Sequence, residues 1–128
     1  MTTSEDRAEN TVRNFITLFN EGRDPDAIAA LFAPNAQFWG TLSPELGEGT
    51  KPIRDYFADA FARRMGHVAA GITQISAMTL ADGTVAIAGR WEVARSDRVA
   101  KLRFSMVLNR QNGRWLIAQF HSSRRAEA

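Results

Sequence analysis

The sequence contains no cysteine. Disulfides, thiolate nucleophiles and thiolate-held metals are therefore excluded. Histidine is nearly absent too: the chain has 2, His67 and His121. They lie too far apart for a local metal-binding pair, so no metal is expected, and no cofactor is expected either. No apolar run has the length a bilayer demands, so no membrane partner is expected. The opening Met-Thr-Thr-Ser-Glu-Asp lacks the basic start and apolar stretch of a secretory leader, which points to the cytoplasm. Charge of one sign is scarce as well. Lys and Arg total 16 against 14 Asp and Glu, a formal charge of +2. No element carries a basic stripe with interleaved aromatics, so nucleic acid is not an expected partner.

What is present fits one domain over residues 1–128, with 45% hydrophobic residues to fill a single core. The first third reads as helices. Thr3 or Ser4 is placed to cap a helix whose first turn holds Glu5 and Asp6, the right sign for its dipole. Ala8, Val12, Phe15, Ile16 and Phe19 form its apolar stripe, and Gly22 closes it. Asp24-Pro25 restarts a short helix that Pro34 ends. Ala36–Trp39 is a short strand candidate. A Gly- and Pro-containing loop follows, and then Thr50 caps a third helix running to about Arg64. Its stripe is Ile53, Phe57, Ala60 and Phe61, with Asp55 and Asp59 on the solvent side.

The second half changes period from helix to strand. Val68–Leu80, Thr84–Ala94, Ala100–Asn109 and Arg114–Ser122 alternate as strands. Asp82-Gly83 and Asn112-Gly113 are hairpin turns, and Arg95–Arg98 is a polar turn. Three helices and a meander predict an α+β cone, with helices on one face of a curved antiparallel sheet.

Alternation sorts the strand residues into faces. Arg90 shares a face with Ala88 and Glu92, opposite Ile87, Trp91 and Val93. Lys101, Arg103 and Ser105 share a face, opposite Leu102, Phe104, Met106 and Leu108. Spacing alone leaves two arrangements open. Either the arginines face solvent and the apolar row meets the helices, or the arginines look into a cavity. In the second case the apolar row lies outside and needs a partner subunit.

Several motifs bear on this choice: Ala33-Pro34-Asn35-Ala36, Trp39-Gly40-Thr41-Leu42-Ser43-Pro44, Glu48-Gly49, Arg54-Asp55-Tyr56-Phe57, and the stretch from Asn112-Gly113-Arg114-Trp115 to Phe120-His121-Ser122-Ser123. Over roughly Ala8 to Ser123 the chain resembles the association (hub) domain of calcium/calmodulin-dependent protein kinase II and its small bacterial relatives. These belong to the SnoaL-like, nuclear transport factor 2-like (cystatin-like) superfamily. The resemblance implies that Arg90 and Arg103 look into a conical pocket and hold a carboxylate. It departs from the hub pattern at Ser122, where an arginine would stand, and at Ile53, where a histidine would.

The expected ligand residues are Arg90, Arg103, Tyr56, Trp39 and Ser105, binding a small anion in a homodimer or higher homo-oligomer packed through the sheet face. Two alternatives stand beside this. One is a SnoaL-like or ketosteroid isomerase-like enzyme using Glu92 or His121 as its proton-transfer group. The other is a pure oligomerisation domain. An Arg90–Glu92 pair that merely fixes the sheet also remains open.

Overall fold

Residues 2–126 are described in the structure, a computed structural model. Helix α1 spans Ser4–Glu21. The Thr3 hydroxyl accepts from the Asp6 N–H at 3.0 Å, and the Asp6 carboxylate accepts from the Thr3 N–H at 3.2 Å. This reciprocal cap satisfies two amides that the first turn leaves unpaired. Gly22 ends the helix at φ 62°, a left-handed conformation that favours glycine. Helix α2, Pro25–Ala29, starts at Asp24, whose carboxylate accepts from the Ala27 N–H. It stops well before Pro34, and strand β1 already begins at Phe32 (Phe32–Trp39). The expected four-residue strand is thus eight residues long, with Pro34 inside it. A two-residue strand β2, Gly47–Glu48, breaks the following loop. Helix α3 covers Thr50–Ala62 with Gly49 at its cap position, so Thr50 is helical rather than the cap.

Strands β3 (Ala69–Ala81), β4 (Thr84–Ala94), β5 (Val99–Gln111) and β6 (Arg114–Arg124) form the antiparallel meander. The sheet order is β2-β1-β6-β5-β4-β3, with β1 parallel to β6. The Asn112-Gly113 turn has φ 51° and 77°, the doubly left-handed geometry that matches strand twist. The β3–β4 register slips between Ile72 and Gln74. Gly89, paired with Ile75, sits beside this irregularity, where any Cβ would run into the Gln74 carbonyl. The missing side chain lets the two strands cross closely at that point.

Helix α1 is tied to the sheet at both ends. Glu5 accepts from the Thr79 N–H and hydroxyl, and the Asn20 amide exchanges bonds with both backbone groups of Ala70. Thr11 donates to the Trp115 carbonyl at 2.8 Å. The core lies between the helices and one sheet face, centred on Phe15. That ring has Phe120, Phe57 and Trp91 at centroid distances of 5.4, 5.7 and 6.1 Å. No helix among the described residues is long and apolar enough to cross a membrane.

The buried rows Val85, Ile87, Trp91, Val93 and Leu102, Phe104, Met106, Leu108 face the helices. Arg90 and Arg103 therefore stand on the outer sheet face, both exposed, and the inward placement of these arginines is corrected. The physical reason lies in what the helices offer. Their stripes (Ala8, Val12 and Phe15; Ile53 and Phe57) must bury against something apolar, at about 1.5–3 kcal/mol per large side chain. Turning the sheet over would bury guanidiniums at several kcal/mol each instead. The expectation of a sheet-to-sheet homodimer assumed that the apolar row needed outside cover. The helices supply that cover, so the premise is gone.

Candidate functional site

Along β4, the inner row Trp91–Val93 runs on to Arg95 by simple alternation. Along β6, the inner row Phe120–Ser122 runs on to Arg124. Both rows are apolar or small where the helices cover them, and each turns cationic where the sheet projects past the helices. The β4–β5 turn is closed by the Arg95 N–H donating to the Arg98 carbonyl at 2.8 Å. Beyond the last β6 residue, the Arg125 N–H donates to the Lys101 carbonyl at 3.1 Å. These two bonds gather Arg95, Arg98, Lys101, Arg124 and Arg125 at one end of the cone.

A cavity of about 630 Å³ opens there. Its walls are aromatic: Phe15, Phe19, Phe57, Trp91 and Phe120. All five cations border it. Among the described residues, no carboxylate or imidazole borders it, and none of the five takes part in an ion pair. A sixth cation lies close by. Arg64 stacks on Phe19 and Phe61 at 5.0 and 5.2 Å and donates to the Phe19 and Asn20 carbonyls. Burial, with the positive charge of Arg95 as a further contribution, holds its pKa below the usual guanidinium value. Like charges crowded without acids attract an anion.

Opposite the cations, the loop after β1 supplies Thr41 and Leu42, and α3 supplies Tyr56. The Tyr56 hydroxyl accepts from the Leu42 N–H at 3.3 Å. Burial pushes the Tyr56 phenol above its ordinary pKa, partly offset by this bond. Gly40 seats the ring, since a Cβ there would lie 2.6 Å from Tyr56 Cζ. Ser122 is only 2% exposed. Its Oγ lies 3.0 Å from Trp91 Nε1, which donates to it, and 2.8 Å from Thr41 Oγ1.

The SnoaL-like domain family model matches residues 12–117. The chain belongs to that family.

No functionally curated protein matches this SnoaL-like domain in sequence. Its fold recurs among solved structures. A proposed calcium/calmodulin-dependent protein kinase II association domain from Xanthomonas campestris superposes with a TM-score of 0.83 at 21% identity, covering 96% of this chain and 89% of its own. A nuclear transport factor 2-like protein of unknown function from Pseudomonas putida gives 0.87 at 14% identity, with coverages of 99% and 90%. A ketosteroid isomerase-like protein from Erwinia carotovora atroseptica gives 0.81 at 15%, with coverages of 99% and 100%. These likenesses establish the nuclear transport factor 2-like, cystatin-like fold.

Of the residues expected at the site, Tyr56 alone borders the cavity of this SnoaL-like domain. Arg90 and Arg103 face each other across the outer sheet surface. Ser105 lies on that same surface between Ala88 and His121, and Trp39 lies beyond His121 at 42% exposure. Glu92, the expected proton acceptor, is paired across the ladder with Lys101, and Arg90 precedes it on the same outer face. Neither Glu92 nor His121 borders the cavity, so neither can reach a guest there. Arg95, Arg98, Arg124 and Thr41 border the cavity and were not among the expected ligand residues. The signal for two of them was the alternation itself, which carries both inner rows outward into arginine.

Proposed function

We propose that this SnoaL-like domain binds a small organic anion, seating an apolar or aromatic body among Phe15, Phe57, Trp91 and Phe120 and its carboxylate among Arg95, Arg98 and Arg124. The observation that carries this reading is the cationic mouth on an aromatic cavity, with no described carboxylate to neutralise it. Guanidinium forks bind carboxylates through paired, charge-assisted bonds, and partial shielding by the cavity strengthens them. The volume suits a ligand of ordinary cofactor or metabolite size. This reading keeps a small anion as the guest and moves its contacts from Arg90 and Arg103 to the open end of the cone.

The same inventory favours binding over proton-transfer catalysis. Tyr56 and Thr41 donate hydrogen bonds, but the described cavity residues include no general base at neutral pH. The ketosteroid isomerase-like neighbour shares the fold, and fold alone does not carry an activity across.

Calorimetric titration with phenylvalerate and its neutral analogue phenylpentanol tests the proposal. The acid should bind at least tenfold more tightly than the alcohol. Arg95→Ala, Arg98→Ala and Arg124→Ala should each weaken the acid by about tenfold, near 1.4 kcal/mol, and leave the alcohol unchanged. Equal binding of acid and alcohol, or no binding of either, would sink it.

A further inference from the structure

Three side chains meet at the end of the cavity nearest β1, and their protons do not balance. Trp91 brings an indole N–H, which can only donate, and Ser122 and Thr41 each bring one hydroxyl proton. Two contacts join them, Trp91 Nε1 to Ser122 Oγ at 3.0 Å and Ser122 Oγ to Thr41 Oγ1 at 2.8 Å. Three protons across two bonds leave one over. If Thr41 donates to Ser122, the surplus proton is sealed on a side chain that is 2% exposed and has no further partner among the described residues. A buried donor without an acceptor is unfavourable. Hydroxyl protons rotate freely, and the alternative order runs Trp91 to Ser122 to Thr41. The surplus proton then sits on Thr41, the hydroxyl of the two that borders the cavity.

Tyr56 adds a second such proton. Its oxygen already accepts from the Leu42 N–H, its own proton has no acceptor among the described residues, and its ring borders the same cavity. Thr41 and Leu42 are consecutive, so the Tyr56 oxygen is held at the residue next to Thr41. Among the described residues, every polar side chain bordering the cavity thus has a proton to donate, and none is a carboxylate or an amide.

We infer that Thr41 and Tyr56 form a second subsite, which takes a neutral oxygen acceptor of the ligand, a ketone carbonyl, while the arginines take its carboxylate. The inference rests on the anion-binding reading and narrows it to a class, the aryl keto acids. Trp91 and Ser122 act as positioning residues: their bonds aim the Thr41 proton into the cavity. Spacing follows from the strand. Ser122, whose Oγ lies 2.8 Å from Thr41 Oγ1, is two residues before Arg124 on the same inner row, a rise of roughly 7 Å, so acceptor and anion are several bonds apart, as in a δ-keto acid.

The test compares benzoylbutyrate with phenylvalerate, which differ by one carbonyl, by calorimetry on wild type, Thr41→Val and Thr41→Ser. Wild type should prefer the keto acid by about fivefold, the worth of one neutral hydrogen bond. Thr41→Val should abolish the preference and Thr41→Ser should keep it. Circular dichroism establishes that each variant is folded. Two results leave anion binding standing and overturn the carbonyl subsite: both acids binding wild type equally, or the preference surviving in Thr41→Val. If neither acid binds wild type, the anion reading fails and the subsite falls with it.

Discussion

Arg90 and Arg103 are directly opposed on β4 and β5, two positive charges side by side on the exposed face of the sheet. Arg103 donates to the Ser123 hydroxyl at 3.1 Å, and no carboxylate forms an ion pair with either arginine among the described residues. Like charges opposed across a ladder destabilise it. Arg103→Thr should therefore raise stability by about 0.2–1 kcal/mol, and the gain should shrink in high salt. Phenylvalerate affinity should not change. Denaturant midpoints at low and high salt check the first point and titration the second. A loss of acid binding would restore the pocket role that the geometry removes.

Gly89 and Gly71 are both strand glycines, and they should respond oppositely to alanine. A Cβ at Gly89 meets the Gln74 carbonyl, a backbone obstacle that cannot swing aside. Gly89→Ala should cost about 1–3 kcal/mol, as overpacking does. At Gly71 nothing lies within 4 Å of an added Cβ, and its φ is not positive. Gly71→Ala should be neutral or stabilise by about 0.4–1 kcal/mol through the unfolded chain. Equal losses in urea titrations would remove the account of the β3–β4 crossing.

Tyr56 is the 1 tyrosine of the chain, so phenolate absorbance reports it alone. Burial raises its folded-state pKa. A raised folded pKa gives stability that is full below the unfolded value of about 10 and is lost as pH rises from there through the folded value. Wild type should therefore lose more stability than Tyr56→Phe as pH climbs above about 10. Parallel losses in the two proteins would mean that Tyr56 is not sheltered.

Binding of phenylvalerate should weaken with salt, because the cations at the mouth are only partly shielded. Arg124→Ala should flatten that dependence and Thr41→Val should not. A salt-independent affinity in wild type would separate binding from the mouth.

Much of the fold was legible because local chemistry decided it. The Thr3 and Asp24 caps, Gly22, and the Asp82-Gly83 and Asn112-Gly113 turns all act within a few residues. Strand β2 was not legible, since its two residues owe their strand state to pairing with Gln37 and Phe38. Nor was the start of β1, which pairs Phe32 with Ile117 far along the chain.

The site was less legible than the fold, for a physical reason. Alternation states which residues share a face and is silent on which face the helices cover. Resemblance to hub domains turned Arg90 and Arg103 inward. Apolar burial turns them outward, and it is the larger energy. Arg95 reads as part of a turn and Arg124 lies past the expected end of its strand at Ser122, because their roles depend on where the helices stop covering the sheet. Ser122 was noticed only as a missing arginine, and its hydrogen bonds to Trp91 and Thr41 are tertiary.

Trp91 gives the molecule an optical gauge. It is the one tryptophan of 3 that borders the cavity, and its indole nitrogen is held by Ser122 rather than by water. A guest seated against that ring changes the surroundings of its excited state, while Trp39 and Trp115 emit as a steady background. Occupancy can then be followed by the protein's own light, without a label and without knowing in advance which guest to add.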